Sequence, residues 1–230
     1  MHPIILHIET ATETCSIAVS KGLEVVSRVW GNQPKAHASV ITPMIEEALQ
    51  QASMSLRDIN AVNVSKGPGS YTGLRIGVAT AKGLCFALQI PMLSTNTLQF
   101  YAQQFLLNEK IETDALLCPM IDARRMEVYT AVFDQSLDFR IPTEAKILSE
   151  NSFADLLASH KIYFFGNGAF KLKNLNRFLD YPFIIENFNP DAGCMTPLAV
   201  QKYNTNQLED IAYFEPFYLK DFVTQSTFHK

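Results

Sequence analysis

Three short stretches hold residue types that could grip a phosphate or a cation. The first is Gly67-Pro68-Gly69-Ser70, which follows the run Val62-Asn63-Val64. Five of the chain's ten glycines fall between Gly67 and Gly83. Glycines ahead of a helix expose backbone N–H groups to an anion, so Gly67, Gly69 and Ser70 are candidate nucleotide contacts. Their spacing matches neither G-x-x-x-x-G-K-[ST] nor G-x-G-x-x-G, and a tight strand-to-helix turn explains the same residues. The second stretch, Glu9-Thr10-Ala11-Thr12, ends an apolar run. Glu9 could hold a cation, with Thr10 beside it as a nucleotide contact. No glycine is present there, so a side chain at every position hinders backbone approach. The expectation is a solvated acid at a strand end. The third is Gly166-Asn167-Gly168-Ala169, where Gly166 and Gly168 could line a nucleotide.

Metal and nucleophile chemistry find less support. The histidines are His2, His7, His37, His160 and His229, and no two lie four residues apart. The helix start His37-Ala38-Ser39-Val40-Ile41 has isoleucine where a second ligand would stand, so no metal site is expected. Cys15, Cys85, Cys118 and Cys194 form no C-x-x-C pair and read as free thiols. Ser70 is the one obvious nucleophile, and a Ser-His-Asp geometry cannot be read from it. Asp122, Arg124, Arg125 and Glu127 form a dense charged cluster. Either it is a self-paired turn or it is a contact surface.

Stepping outward, the elements around these stretches alternate between short strands and helices. Ile4–Ile8, Cys15–Ser20 and Leu23–Trp30 read as strands, with Lys21-Gly22 as a hairpin turn. A helix is expected from Ala36 to Ser53, its apolar face built on Ile41, Met44, Ile45, Ala48 and Leu49; Pro43 must kink it or mark its start. Ser55–Asp58 suits a helical turn before the strand at Ala61. Tyr71–Leu88 reads as a helix apolar almost all round, hence buried or held against a partner. Pro91–Thr95 is a strand, and Thr97 caps a helix to Leu107. Ala115–Cys118, Val128–Phe133, Ile162–Phe165 and Phe183–Glu186 read as further strands. Ser152–Ser159 and a segment opened by Thr196-Pro197 read as helices. The expected architecture is α/β with mixed sheets and flanking helices. It divides into a first lobe at 1–100 and a second at 101–230, whose C-terminal segment could return to the first.

Composition narrows the function. The chain has 230 residues, 47% hydrophobic and 18% charged, with net charge −4. A sizeable core is affordable, and an independent, strongly basic nucleic-acid binder is excluded. Neither a signal peptide nor a transmembrane helix is expected, which points to the cytoplasm.

Gly67-Pro68-Gly69-Ser70-Tyr71-Thr72-Gly73-Leu74-Arg75-Ile76-Gly77, followed by Ala81-Lys82-Gly83-Leu84, resembles the signature of the TsaB (YeaZ) family. Asp122–Tyr129 and the closing Pro216–Leu219 resemble two more of its motifs, and the likeness runs from Ile4 to Tyr218. It implies a two-lobed actin-like ATPase (ASKHA) fold with a degenerate nucleotide site. It also implies a non-catalytic role, supporting a TsaD-type protein that transfers threonylcarbamoyl onto a tRNA adenosine beside the anticodon, with a TsaE-type ATPase joining. The chain would touch tRNA only indirectly and form a homodimer when alone. It would need no cofactor beyond a weak or interface-bound ATP or ADP. The rival readings are a nucleotide-dependent phosphotransferase of the same fold and a peptidase.

One feature of the glycine-rich helix bears on partners. Gly69, Gly73, Gly77 and Ala81 recur every fourth residue and share a face. Left uncovered, that face would be an apolar patch and a docking site. Ile41, Ile45, Gly73, Arg75, Gly77 and Ala81 are therefore the expected partner contacts. Arg75 is expected to pair with an acid or cap carbonyls, since a buried lone guanidinium is costly.

Overall fold

The computed structural model describes residues 2–31, 37–185 and 188–220. Strands β1 (Ile4–Glu9), β2 (Cys15–Lys21) and β3 (Glu24–Gly31) form an antiparallel meander. Helix α1 (His37–Gln51) crosses to β4 (Ala61–Gly67), and α2 (Tyr71–Leu88) crosses to β5 (Met92–Asn96). Both later strands run parallel to their neighbours, so the first sheet has the order β3-β2-β1-β4-β5. Helix α3 (Thr97–Asn108) leads to the second sheet. There β6 (Leu116–Asp122), β7 (Glu127–Phe133) and β8 (Phe139–Ile147) form a meander, and a one-turn helix α4 (Ala154–Leu157) precedes β9 (Ile162–Phe165) and β10 (Ile184–Ile185). Its order, β8-β7-β6-β9-β10, repeats the first sheet strand for strand. Helix α5 (Thr196–Asn204) then packs back on the first sheet, and the following segment bridges to β5 through Met92 and Glu209.

The period-2 alternation of β1 explains how the layers are built. Leu6 and Ile8 face the cluster that α1 and α2 cover, through Ile41, Met44, Ile45, Ala48, Val78, Ala81 and Cys85. Ile5, on the opposite side, packs with Ala61, Leu93, Ala199 and Val200, under α5. A third cluster joins the two sheets: Leu98, Phe100, Tyr101 and Phe105 of α3 meet Leu117, Ile121, Phe133 and Phe165, with Ala192 and Met195. The Phe105 and Phe165 rings stack at 4.2 Å.

Several expected elements shift on folding. Pro43 lies inside α1, on its exposed side, rather than at the helix start. Asn96 caps α3, accepting from the Gln99 amide at 3.1 Å, and Thr97 is already helical. Likewise Thr196 lies inside α5, after Met195. The expected helix at 152–159 shrinks to the single turn of α4. Strand β8 carries no alternation because it is a half-exposed edge strand containing Pro142. Residues 32–36, the side chain of His37, and Glu186 lie outside the described residues.

Candidate functional site

The glycine-rich turn and the β1–β2 loop are pressed together. Ser70 caps α2, its Oγ accepting from the Gly73 amide at 3.3 Å, and its own amide donates to the Ala11 carbonyl at 2.7 Å. A Cβ placed on Gly69 would overlap the Ala11 carbonyl oxygen; on Gly73, the Thr10 carbonyl oxygen; on Gly77, Thr10 Oγ1. Gly69 and Gly73 thus admit the chain's own backbone, and Gly77 admits the Thr10 side chain. Gly67, at φ +107°, lies against the Phe217 carbonyl, 2.8 Å from where a Cβ would stand. The Cβ sides of Gly67 and Gly69 are thus occupied by Phe217 and Ala11 of the same chain.

Glu9 corrects the expected solvated acid. It is only 2% exposed. Its Oε1 accepts from the Ala11 amide at 2.5 Å, and its Oε2 is buried without a hydrogen-bond partner among the described residues. Burial pushes the carboxyl up to about 7, which the Ala11 amide and the nearby Ser65 hydroxyl offset only in part. Nearby lie Tyr101, whose hydroxyl is raised well above its usual value by burial and then by Glu9, and Cys15, pushed up to about 12 by the same two causes. The loop that would cradle a phosphate thus has its Ala11 amide taken by its own carboxylate. These residues do not fit a nucleotide phosphate.

The second lobe repeats the pattern. A Cβ on Gly166, at φ +96°, would overlap the Met120 carbonyl oxygen, and one on Gly168 would lie 2.9 Å from the Ile121 carbonyl carbon. Asn167 Oδ1 accepts from the Asp122 amide at 2.9 Å. Both glycines are buried against the end of β6. The charged cluster is not self-paired. Asp122 pairs with Lys171, Nζ to Oδ1 2.7 Å, and Glu127 pairs with Lys220. Lys171 is 4% exposed and also donates to the Glu127 carbonyl at 2.8 Å.

The expected partner face is also corrected. Ile41 and Ile45 are 3% and 4% exposed, in the core under the first sheet. Gly73, Gly77 and Ala81 are buried, because the small-residue stripe is what lets α2 sit down on the Thr10–Ala11 loop. The face of α2 left in solvent is the opposite one, carrying Thr72, Ala79, Gly83 and Phe86, with Ile76 half-buried beside them. Phe86 is 73% exposed, and nothing lies within 4 Å of a Cβ built on Gly83. Arg75 is exposed as well. It lies over the Tyr71 ring at 5.5 Å and donates to the Tyr71 hydroxyl at 3.2 Å, with no acid beside it among the described residues. Tyr71 in turn meets the Tyr218 ring at 4.7 Å. The small-residue stripe singled out in the sequence is therefore the buried face of α2, and the exposed face is another. Phe86 at i+3 from Gly83 was the available signal.

The remaining chemical groups are committed to structure. His7 is buried, with Nε2 2.8 Å from Ser20 Oγ and Nδ1 3.3 Å from Asn63 Nδ2. Burial drives it down to about 3, so the ring is neutral. All four cysteines are buried and unpaired. Among the described residues, no three His, Cys, Asp or Glu side chains converge as metal ligands, and no helix is long and apolar enough to cross a membrane.

Two sheets of one strand order, joined across a shared apolar layer, define a two-lobed α/β protein of the actin-like ATPase class. Family comparison agrees: residues 24–223 match the profile described as TsaD, tRNA N6-adenosine threonylcarbamoyltransferase. Among individual proteins, the tRNA threonylcarbamoyladenosine biosynthesis protein TsaB of Escherichia coli is 39% identical over 57% of this chain and 55% of its own length. That of Haemophilus influenzae is 27% identical over 96% of this chain and 94% of its own length. YeaZ from Pseudomonas aeruginosa superposes with a TM-score of 0.78 at 25% identity, over 94% of this chain and 100% of that one. The chain belongs to this family, in its TsaB (YeaZ) branch. The matched region spans about half the length of the E. coli and Bacillus subtilis relatives, 55% and 54%.

Proposed function

We propose that this chain is an accessory subunit in the cytoplasm for tRNA modification, supporting a TsaD-type protein that transfers threonylcarbamoyl to a tRNA adenosine next to the anticodon. The observation that carries this reading is the closed first lobe: the fold of a nucleotide-dependent enzyme is kept, while Glu9 takes the Ala11 amide and Thr10–Ala11 fill the glycine turn. A chain built this way has kept the scaffold and given up the phosphate cradle. The phosphotransferase reading lacks that cradle. The peptidase reading loses its nucleophile, since Ser70 Oγ is engaged as a helix cap.

The docking surface in this reading is the outer face of α2. Ala79 and Gly83 allow close helix approach, and Ile76 and Phe86 supply apolar area. A TsaD-type partner of the same family would offer the equivalent helix pair. A second copy could substitute in its absence, as a two-fold dimer. A TsaE-type ATPase would join the heteromeric assembly, and any ATP or ADP would sit at an interface between subunits. The test is co-elution with a TsaD-type protein, together with threonylcarbamoyladenosine formation on tRNA. Wild type should support both, and Gly83→Arg should lose both while keeping its helical circular dichroism. A folded Gly83→Arg that still co-elutes would refute the docking face. A wild-type chain without effect on the modification would refute the function.

A further inference from the structure

The Glu9 carboxyl is buried where the two lobes meet. By the alternation of β1 it shares a face with Ile5 and His7. Four segments lie within electrostatic or hydrogen-bonding reach of it: Cys15 of β2, Ser65 of β4, Tyr101 of α3, and Cys194 in the turn Ala192–Met195 before α5. Helix α3 connects the two sheets, and Tyr101 and Cys194 belong to the apolar layer that joins them. A Thr12 side-chain hydrogen bond ties Tyr101 to the β1–β2 loop as well.

This junction holds an acid without a cation. No lysine, arginine or histidine pairs with Glu9 among the described residues. His7, on the same strand face, is neutral and engaged by Ser20 and Asn63. Arg28 pairs with Asp191 at 3.4 Å. Cys15, Cys194 and Tyr101 are raised far enough by burial to stay uncharged at neutral pH. A protonated Glu9 therefore fits as a neutral group. An ionised one places a full charge among two thiols and a phenol, with the Ala11 amide and the Ser65 hydroxyl to soften it and Oε2 unpartnered among the described residues. Such a charge is costly to bury, and water reaches it only if a covering segment moves. Strands β2 and β4 are fixed by their ladders, and α3 is anchored by the stacked Phe105 and Phe165 rings. The turn Ala192–Met195 is held more lightly. The Ala192 amide donates to Ser16 Oγ at 2.9 Å, and Met195 Sδ lies 3.5 Å from Asn63 Nδ2.

We propose that Glu9 is a proton-operated latch between the lobes: protonated, it lets the turn Ala192–Met195 close on the first sheet; ionised, it releases that turn and admits water to the junction. The closed form holds the proton more tightly than the open form, because burial raises the carboxyl from 4.5 to about 7. Closure is therefore strongest below about pH 4.5 and weakens as pH rises to about 7, with little further change above.

Amide hydrogen exchange read by NMR tests this, each rate being divided by its intrinsic chemical rate at that pH. The reporter is the Ala192 amide. The reference is the Phe164 amide, which donates to the Phe183 carbonyl in the second lobe. Relative to Glu9→Gln, wild-type protection at Ala192 should fall about 40-fold from about pH 5 to about pH 7, and about twofold more by about pH 8.5. Titration of His7 is common to both proteins and cancels in that ratio. At neutral pH, low non-denaturing urea should leave Ala192 exchange unchanged while speeding exchange at Phe164, because a local opening exposes little surface. A ratio that stays constant with pH overturns the proposal. So does a urea response at Ala192 equal to that at Phe164, which would mean that the junction opens only when the whole chain unfolds. Should the glutamine protein fail to fold, the wild-type pH profile at Ala192 and its urea response decide by themselves, and a flat profile overturns the latch.

Discussion

Replacing Glu9 by glutamine isolates the cost of burying a carboxylate in the closed β1–β2 loop. The folded carboxyl is pushed from 4.5 up to about 7, with desolvation as the leading cause. The folded protein therefore holds this proton more tightly than the unfolded chain does. Its contribution to stability is greatest below about pH 4.5, is lost as pH rises towards about 7, and stays lost above. A shift of about 2.5 units corresponds to roughly 3 kcal/mol. Glutamine keeps an oxygen for the Ala11 amide and cannot ionise. It also leaves a buried amide group unpartnered, a penalty of about 1–3 kcal/mol that does not change with pH. The diagnostic quantity is therefore the pH dependence of the difference between the two proteins. Urea unfolding at pH 4.5, 6 and 8 should show Glu9→Gln gaining about 3 kcal/mol on wild type between the two extremes. A difference that stays constant across that range would falsify the buried, unpartnered carboxylate.

Three further outcomes are expected. His7 is neutral in the fold and driven down to about 3, so the stability it confers is present above about pH 6.5 and lost as pH falls towards 3. The advantage of wild type over His7→Gln should accordingly grow by up to about 1.4 kcal/mol per pH unit between those values; a flat difference in denaturant titrations would contradict it. Gly77→Arg drives a side chain into Thr10 and should abolish cooperative melting, whereas Gly83→Ala, with open space around its Cβ, should stabilise by about 0.5–1 kcal/mol. Equal melting temperatures for the two variants would mean that the stripe assignment on α2 is reversed. Isothermal titration of the lone chain with ATP should show no micromolar binding, since Thr10, Ala11 and Phe217 fill the glycine turn; a clear isotherm would mean that the loops reopen.

Local chemistry carried most of the framework into the sequence. The alternation in β1, the Lys21-Gly22 turn, the apolar periodicity of α1 and the glycine break before α2 each depend on residues close in the chain, so they could be read without a fold. The edge strand β8 could not. Its residues pack on one neighbour only, and Pro142 erases the pattern. The small-residue stripe Gly69, Gly73, Gly77 and Ala81 was legible as a stripe, because helix geometry alone puts residues four apart on one face. What covers it was not legible. The Thr10–Ala11 loop arrives from 60 residues away, and only the pairing of β1 with β4 brings it there. The same holds for Glu9, whose neighbours Ser65, Tyr101 and Cys194 come from β4, α3 and the segment before α5. It holds for the Asp122–Glu127 turn too. Sequence neighbours suggested that its charges cancel, whereas Lys171 and Lys220, delivered by tertiary structure, take the acids and leave Arg124 and Arg125 without an ion pair among the described residues. Periodicity, turn chemistry and a family signature are local properties, and the sequence by itself determined them. Exposure and charge pairing depend on which distant segment arrives, and only the tertiary structure decided those.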